Sequence, residues 1–107
     1  MTPPAHVAFE AKKLFGAVGE IIDGSVACVL PGGGGPTERH THEHSHLFIV
    51  TKGEAKALVG DETVIIRENE AYLLDGRLPH SVWGSADGET VMLGISVRPR
   101  GNGPADT

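Results

Sequence analysis

Hydrophobic and polar residues alternate along this chain in short runs, which are separated by glycine, aspartate or asparagine about every eight to twelve residues. Such a period-two pattern places one face of a strand against a core, so it predicts an all-β barrel or sandwich. Segments with helical spacing are scarce. The predicted strands are residues 20–22, 25–30, 47–51, 55–59, 62–67, 71–74, 81–83 and 90–97.

Glycine-containing pairs mark the expected connections between these strands. Asp23-Gly24, Gly60-Asp61 and Lys52-Gly53 place residues that tolerate positive φ between apolar runs, as hairpin turns require. The glycines of residues 32–35 precede Pro36 and predict a mobile loop, because the lysine and hydroxyl residue of a phosphate-binding loop do not follow them.

The chain divides into a barrel with two flanking segments. Residues 24–97 form the predicted barrel, and residues 98–107 form a polar tail that we expect to be flexible. Residues 1–23 form an N-terminal segment that could take part in a dimer contact. Within it, residues 9–15 fit either a short helical turn or a first strand.

Composition limits the function classes. The chain has 107 residues, of which 39% are hydrophobic, and this fits a single compact domain. A net charge of -5 without a lysine or arginine block argues against nucleic acid or an anionic membrane as partner. The single cysteine, Cys28, cannot form an internal disulfide and is expected in the core. With no apolar leader or membrane-length segment evident, we expect a cytoplasmic protein.

Histidines supply the clearest functional signal. His40, His42, His44 and His46 occupy alternate positions, and His80 follows a proline further along the chain. Neutral imidazole is the commonest metal-binding side chain, so five of the six histidines in two places predict a metal site. Alternatively, these residues could form the solvent-facing side of an ordinary strand. That interpretation explains why polar residues alternate, but not why four of them are histidines.

The length of the histidine side chain limits which histidines can bind the same ion. A straight strand would separate the Cα atoms of His40 and His46 by about 20 Å, too far for two imidazoles on one metal. The backbone must therefore bend at residues 43–45. We expect His40, His42, His46 and His80 to bind the ion, while His44 lies in a second shell or at the pocket rim.

Other residues are candidates for the surrounding pocket. Phe48 lies two residues after His46, and Val82 lies two residues after His80, so each should point to the same face of its strand as that histidine. We therefore expect Phe48 and Val82 to form an apolar floor of the pocket. Tyr72 and Trp83 are possible rim residues, although ordinary core or surface positions are as compatible with the sequence. The remaining candidates are charged: Arg77 could clamp a substrate carboxylate, and Glu38 and Glu43 could orient imidazoles, unless all three simply face solvent.

Residues 47–50 are apolar on both faces of their predicted strand. The face opposite the pocket must therefore be covered, and we expect a homodimer to cover it. The second sheet of the same barrel or the N-terminal segment could serve instead.

The histidine spacing resembles the cupin superfamily over roughly residues 24–97. Its first motif has Gly, five residues, His, one residue, His, three or four residues, Glu, six residues, Gly. Here Gly34, His40, His42 and Gly53 match, and His46 replaces the acidic residue. The second motif is matched loosely by residues 74–80, which contain Gly76 and His80. The resemblance implies a jelly-roll barrel of two antiparallel sheets with a metal inside one mouth.

That resemblance also shapes the expected chemistry. Four neutral imidazoles leave the full charge of one divalent ion to be balanced by water, hydroxide or an anionic substrate. Fe, Mn, Ni, Cu and Zn all remain candidates. We expect a metal-dependent oxygenase acting on a small oxygenated or enolisable compound. The alternatives are a metal-assisted isomerase, lyase or cyclase, and a non-catalytic metal-dependent binding or sensing module.

Overall fold

The computed structural model describes residues 4–5 and 7–98, and within them eight strands form two four-stranded antiparallel sheets. One sheet has the order β1-β8-β3-β6 and the other β2-β7-β4-β5. This confirms the predicted all-β, two-sheet jelly-roll architecture. The strands are β1 Glu20–Val29, β2 Gly34–His40, β3 Ser45–Lys52, β4 Glu54–Val59, β5 Glu62–Arg67, β6 Glu70–Leu74, β7 His80–Gly84 and β8 Thr90–Arg98.

The hydrophobic core lies between the two sheets. In β4, Ala55, Ala57 and Val59 are buried while the alternate residues Glu54 and Lys56 are exposed, which is the predicted period-two pattern. The remaining buried members of this core come from four other strands. They are Val50, Ile66, Leu74 and Met92. Truncation of such a residue to alanine should cost about 2–5 kcal/mol of stability.

One of the three predicted hairpin turns is present, at Gly60-Asp61, which joins the paired strands β4 and β5. Lys52-Gly53 joins β3 to β4 with a φ of 78° at Gly53, but these strands lie in different sheets, so the connection crosses between the sheets and the prediction of a hairpin there was wrong. Asp23-Gly24 instead lies within the continuous strand β1, where the register with β8 shifts between Ile21 and Asp23. The prediction of a turn there was wrong because Asp23 and Gly24 both pair with β8 and the strand continues through them, while the β-bulge precedes the pair at Ile22.

The predicted loop at residues 32–35 also differs from the structure, because Gly34 and Gly35 begin β2. Gly34 pairs with Trp83 of β7 at a φ of 142°, and a Cβ there would lie 2.5 Å from the Val82 carbonyl oxygen. Glycine is therefore required for β2 to approach β7.

The flanking segments are irregular or short. Residues 9–15 form neither a helix nor a strand, so both expectations for them were wrong. Arg98 of the expected tail belongs to β8, where it pairs with Glu20, and residues 99–107 lie outside the described residues. Cys28 is exposed on the edge strand β1, not in the core. No helix in the described ranges is long and apolar enough to cross a membrane.

Candidate metal centre

Both sheets contribute histidines to one end of the barrel. His40 ends β2, His46 is the second residue of β3, and His80 begins β7. His40 and His80 are direct cross-strand partners, because β2 and β7 are neighbours. His42 lies on the connection from β2 to β3, where the backbone bends at residues 43 and 44. The bend expected from imidazole reach is therefore present.

The ring separations suit a shared ion. The ring nitrogens of His40, His42 and His80 lie within 4.8 Å of one another. The ring centroids are 4.8 Å apart for His40 and His80, 4.8 Å for His42 and His80, and 5.2 Å for His40 and His42. Imidazoles bound to one ion at about 90–110° from each other would have centroids about 4.5–5.5 Å apart, given metal–nitrogen distances near 2.1 Å.

His46 approaches the same cluster from the other sheet. Its centroid is 4.5 Å from that of His42 and 5.7 Å from that of His80, with rings inclined at 88° and 69°. Its Nε2 lies 2.8 Å from the Nε2 of His42, a separation at which the two nitrogens must share a proton or a bound cation.

Backbone carbonyls fix the orientation of two imidazoles. Nδ1 of His80 donates to the Leu78 carbonyl at 2.7 Å, and Nδ1 of His42 donates to the His44 carbonyl at 2.8 Å. In each ring this arrangement leaves Nε2 as the lone-pair atom, as a metal ligand requires.

One of these lone pairs is buried without a partner. Among the described residues, His80 Nε2 is the single buried side-chain nitrogen or oxygen that lacks a hydrogen bond. Such an orphaned acceptor costs about 1–3 kcal/mol. A cation bound beside His40 and His42 would satisfy it, so the residues present fit a metal ion.

Burial keeps two of the rings neutral. Desolvation, followed by the neighbouring histidines His42, His44, His80 and His40, lowers the pKa of His46 to about 4. Desolvation also lowers the pKa of His80, partly offset by its hydrogen bond to Leu78. At neutral pH both rings are therefore in the form that binds metal.

His44 is placed differently from the other four histidines. Its ring stacks on that of His42 at 4.1 Å with an interplanar angle of 8°. Two parallel rings cannot both direct an in-plane lone pair at one ion between them. His44 therefore lies beside the cluster, where its carbonyl orients His42.

Of the apolar and aromatic residues that the sequence suggested for the pocket, three pack against the core and one lies on the outer face of its strand. The Phe48 ring lies 5.5 Å from that of His46, and Phe48, Val82 and Tyr72 pack against the core. Tyr72 pairs with Phe48 and also lines a cleft near the N-terminal segment. Trp83 is not in the pocket, because it lies on the opposite face of β7, where its Nε1 donates to Ser81 Oγ at 3.1 Å.

Within the described residues, no hydrogen bond joins the charged candidates to the imidazoles. Arg77 is exposed and holds Asp75 through two side-chain hydrogen bonds of 3.1 Å each, so its guanidinium is already paired. Arg77 and Glu43 line a cleft of about 380 Å³ that reaches His42. Glu38 and Glu43 are exposed, and the imidazole-orienting role expected of them belongs to the two carbonyls.

Gly76 is a site residue whose role the sequence did not reveal. Its carbonyl accepts a hydrogen bond from the His42 amide at 2.8 Å. A Cβ at this position would overlap the His44 carbonyl and would also meet the ring of His42. Its position in the second motif was the available signal, but the motif did not indicate which groups approach it.

Comparison with known proteins agrees with this architecture. A family model described as a cupin domain matches residues 25–97. No curated protein sequence matches the chain.

Several solved structures share the fold. A conserved protein of unknown function from Streptococcus pyogenes is 20% identical (TM-score 0.62; 73% of this chain, 65% of that one). A cupin 2 domain-containing protein from Halorhodospira halophila is 23% identical (TM-score 0.60; 78% and 59%). A predicted oxalate decarboxylase from Thermotoga maritima is 13% identical (TM-score 0.63; 73% and 67%). The chain thus spans about three-fifths to two-thirds of these proteins, and at such identities the likeness shows the fold alone.

Proposed function

This chain belongs to the cupin family, and from that membership we propose that it is a metal-dependent oxygenase acting on a small oxygenated or enolisable compound. The observation that carries the proposal is the buried, unpartnered Nε2 of His80 within a cluster of convergent imidazoles. A buried acceptor of this kind is costly in a protein that has no cation to place against it.

His40, His42, His46 and His80 would hold one divalent transition metal. When bound, such an ion supplies Lewis acidity and, if it is redox-active, electron transfer to or from substrate. The chain contributes orientation: the Leu78 and His44 carbonyls hold the rings of His80 and His42 with Nε2 directed into the cluster. Both constraints exist before binding, so little ordering of these two ligands is needed.

The charge of the site favours an anionic or enolisable substrate. No carboxylate is hydrogen-bonded to the five clustered histidines in the described part of the chain, so the rings leave the ion's charge uncompensated. Arg77 is neutralised by Asp75. Attraction of an anion therefore depends on the metal centre itself rather than on an arginine at its rim.

Apolar side chains limit the size and polarity of what can enter. Phe48 stands next to His46, and Phe48 and Val82 are partly buried against the core, so they form a dry wall on the inner side. His40 is exposed on the opposite side, which leaves access from solvent. A small compound with one oxygenated end and one apolar end fits this asymmetry.

The experiment described below also distinguishes two other functions. A metal-assisted isomerase, lyase or cyclase would need a proton-transfer group, and the nearby carboxylates Glu43 and Asp75 lie at the rim. The Thermotoga maritima protein described as a predicted oxalate decarboxylase makes oxalate a reasonable member of a test panel. A binding or sensing module would hold metal and ligand without turnover.

The experiment combines metal analysis with oxygen uptake. Untagged protein, purified without nickel resin, is analysed for metal and then reconstituted separately with Fe²⁺, Mn²⁺, Ni²⁺, Cu²⁺ and Zn²⁺. Each form is incubated with 1,3-dicarbonyls, catechols, hydroxy acids and oxalate. We expect oxygen consumption coupled to substrate loss with a redox-active ion, and none with Zn²⁺.

The matched variants are His80→Ala, within the cluster, and His6→Ala, which removes the one histidine that lies apart from the other five in the sequence. We expect His80→Ala to lose both metal and activity and His6→Ala to keep both. Substrate loss without oxygen would establish the isomerase, lyase or cyclase class. Tight ligand binding without turnover would establish the binding module, and failure to bind any metal would refute all three.

A further inference from the structure

The cluster contains a second set of three histidines that overlaps the first. The ring nitrogens of His42, His44 and His46 also lie within 4.8 Å of one another. The ring of His44 is 5.1 Å from that of His46 at 83°, and that of His42 is 4.5 Å from His46 at 88°. Only the pair of His42 and His44 is parallel.

His44 has the freedom that this second set requires. It is half-buried on the bend between β2 and β3, and in the described part of the chain no hydrogen bond holds its ring. Rotation about its Cβ–Cγ bond would turn the ring out of the plane of His42 and direct a lone pair toward the ion shared with His46. The rings of His80 and His42, by contrast, are fixed by carbonyls.

We propose that His42, His44 and His46 form an entry site that captures the metal ion and passes it to the final site. This inference rests on the metal-binding function proposed above. His42 belongs to both sets, and His46 belongs to the second set and to the four-histidine site proposed above. The transfer therefore exchanges one ligand, His44, for two others, His40 and His80. The two sites cannot be filled together, because His42 offers only Nε2 while its Nδ1 is bonded to the His44 carbonyl.

The burial of the ligands gives the direction of the transfer. His80 is 3% exposed at the inner end, whereas His44 lies next to exposed Glu43 on the connecting bend. An ion that arrives over the bend therefore meets His44 before it reaches the buried His80, while the exposed His40 is the solvent-facing ligand of the final site. Entry through an exchangeable outer ligand allows water to leave the ion in steps, which lowers the barrier to burial.

Substitution of His44 by alanine tests the role of its ring separately from the role of its backbone carbonyl. His44→Ala removes the imidazole but keeps the carbonyl that orients His42, so the final site retains its ligands and their orientation. The affinity should therefore stay within about twofold, whereas loss of an outer positioning partner would lower it by about 10- to 100-fold. The association rate should fall, and an unchanged affinity requires the dissociation rate to fall by the same factor.

The test uses Co²⁺ and untagged apo-protein. Stopped-flow absorbance follows binding, and an excess of EDTA then follows release, for the wild type, His44→Ala and the matched control His6→Ala. We expect His44→Ala to slow both rates by about tenfold, with one Co²⁺ bound at saturation in all three proteins. His6→Ala should match the wild type.

Other outcomes would overturn the inference in distinct ways. Unchanged rates in His44→Ala would show that its ring takes no part in entry. Faster release with lower occupancy would make His44 a ligand of the final complex, and two bound Co²⁺ ions would refute the exclusive sharing of His42. If the wild type and His6→Ala bind no Co²⁺, the metal function itself fails, which is a different result from any of these.

Discussion

The Leu78 carbonyl accepts a hydrogen bond from Nδ1 of His80 at 2.7 Å, and this bond leaves the buried Nε2 of the same ring without a partner. The imidazole is thereby held in one tautomer with its lone pair facing the other histidines. A carbonyl two residues earlier in the chain thus orients a ring of the candidate metal site.

Removal of this ring should abolish stabilisation by metal. In the wild type, a ligand at 100 times its Kd should add about 2.7 kcal/mol to the free energy of unfolding. We expect His80→Ala to lose this increment, measured as the difference in thermal unfolding midpoint with and without Zn²⁺. An equal midpoint shift in wild type and variant would contradict a ligand role for His80.

Gly76 should be required for the geometry of the bend. A Cβ there would overlap the His44 carbonyl and the ring of His42, so Gly76→Ala must displace the connection that holds both. We expect metal affinity to fall by about 10- to 100-fold, the range for lost positioning partners, as measured by competition with a chromophoric chelator. Gly88→Ala is the matched control, because a Cβ at Gly88 would meet nothing within 4 Å. Equal affinities of the two variants would count against this role.

Alternation of apolar and polar residues was enough to predict two of the strands closely. β4 and β5 each carry apolar residues at every second position, and each lies close to its predicted range. β2 was missed because Gly34–His40 has glycines, a proline and charged residues with no apolar side to bury. Its conformation is determined by pairing with β7, a tertiary contact that local sequence does not encode.

The candidate metal centre, like the fold, could be predicted from the sequence in part. The limited reach of imidazole required a bend near residues 43–45, and the bend is there. The sequence left Trp83 open between the pocket rim and an ordinary position, and the alternation of side chains along β7 places Val82, not Trp83, on the face of His80. The Leu78 and His44 carbonyls could not be identified, since every residue has a carbonyl and only the fold selects which ones act.

Acid should destabilise the metal-free protein through His46. Its pKa is about 4 in the folded state against an ordinary 6.5, so below pH 6.5 the unfolded chain binds more protons than the folded one. The stability that neutral His46 contributes above pH 6.5 is therefore lost as the pH falls toward 4. The pKa of His80 is lowered too and acts in the same direction.

We expect the free energy of unfolding to fall by about 1–2 kcal/mol between pH 7 and pH 4.5 from His46, after allowance for its partial exposure. Chemical denaturation in the presence of EDTA measures this quantity. His46→Gln should show a flatter dependence over the same interval, because glutamine does not titrate. A variant that follows the wild-type curve would show that other groups cause the acid sensitivity.

The outer face of the sheet β1-β8-β3-β6 supports the expected homodimer as a further prediction. Leu47 and Val97 on this face are already buried within the single chain and need no second copy to cover them. Val26 and Leu93, which pair across β1 and β8, are 67% and 36% exposed. β1 is also an edge strand, and an exposed apolar edge favours pairing with a second copy.

A charge on this face should separate the copies. We expect Val26→Lys to shift the sedimentation coefficient from dimer to monomer without loss of metal binding, because Val26 lies on the face opposite the histidine cluster. Thr63→Lys, an exposed strand position in the other sheet, should leave the assembly unchanged. A wild-type protein that sediments as a monomer at every concentration would refute the dimer.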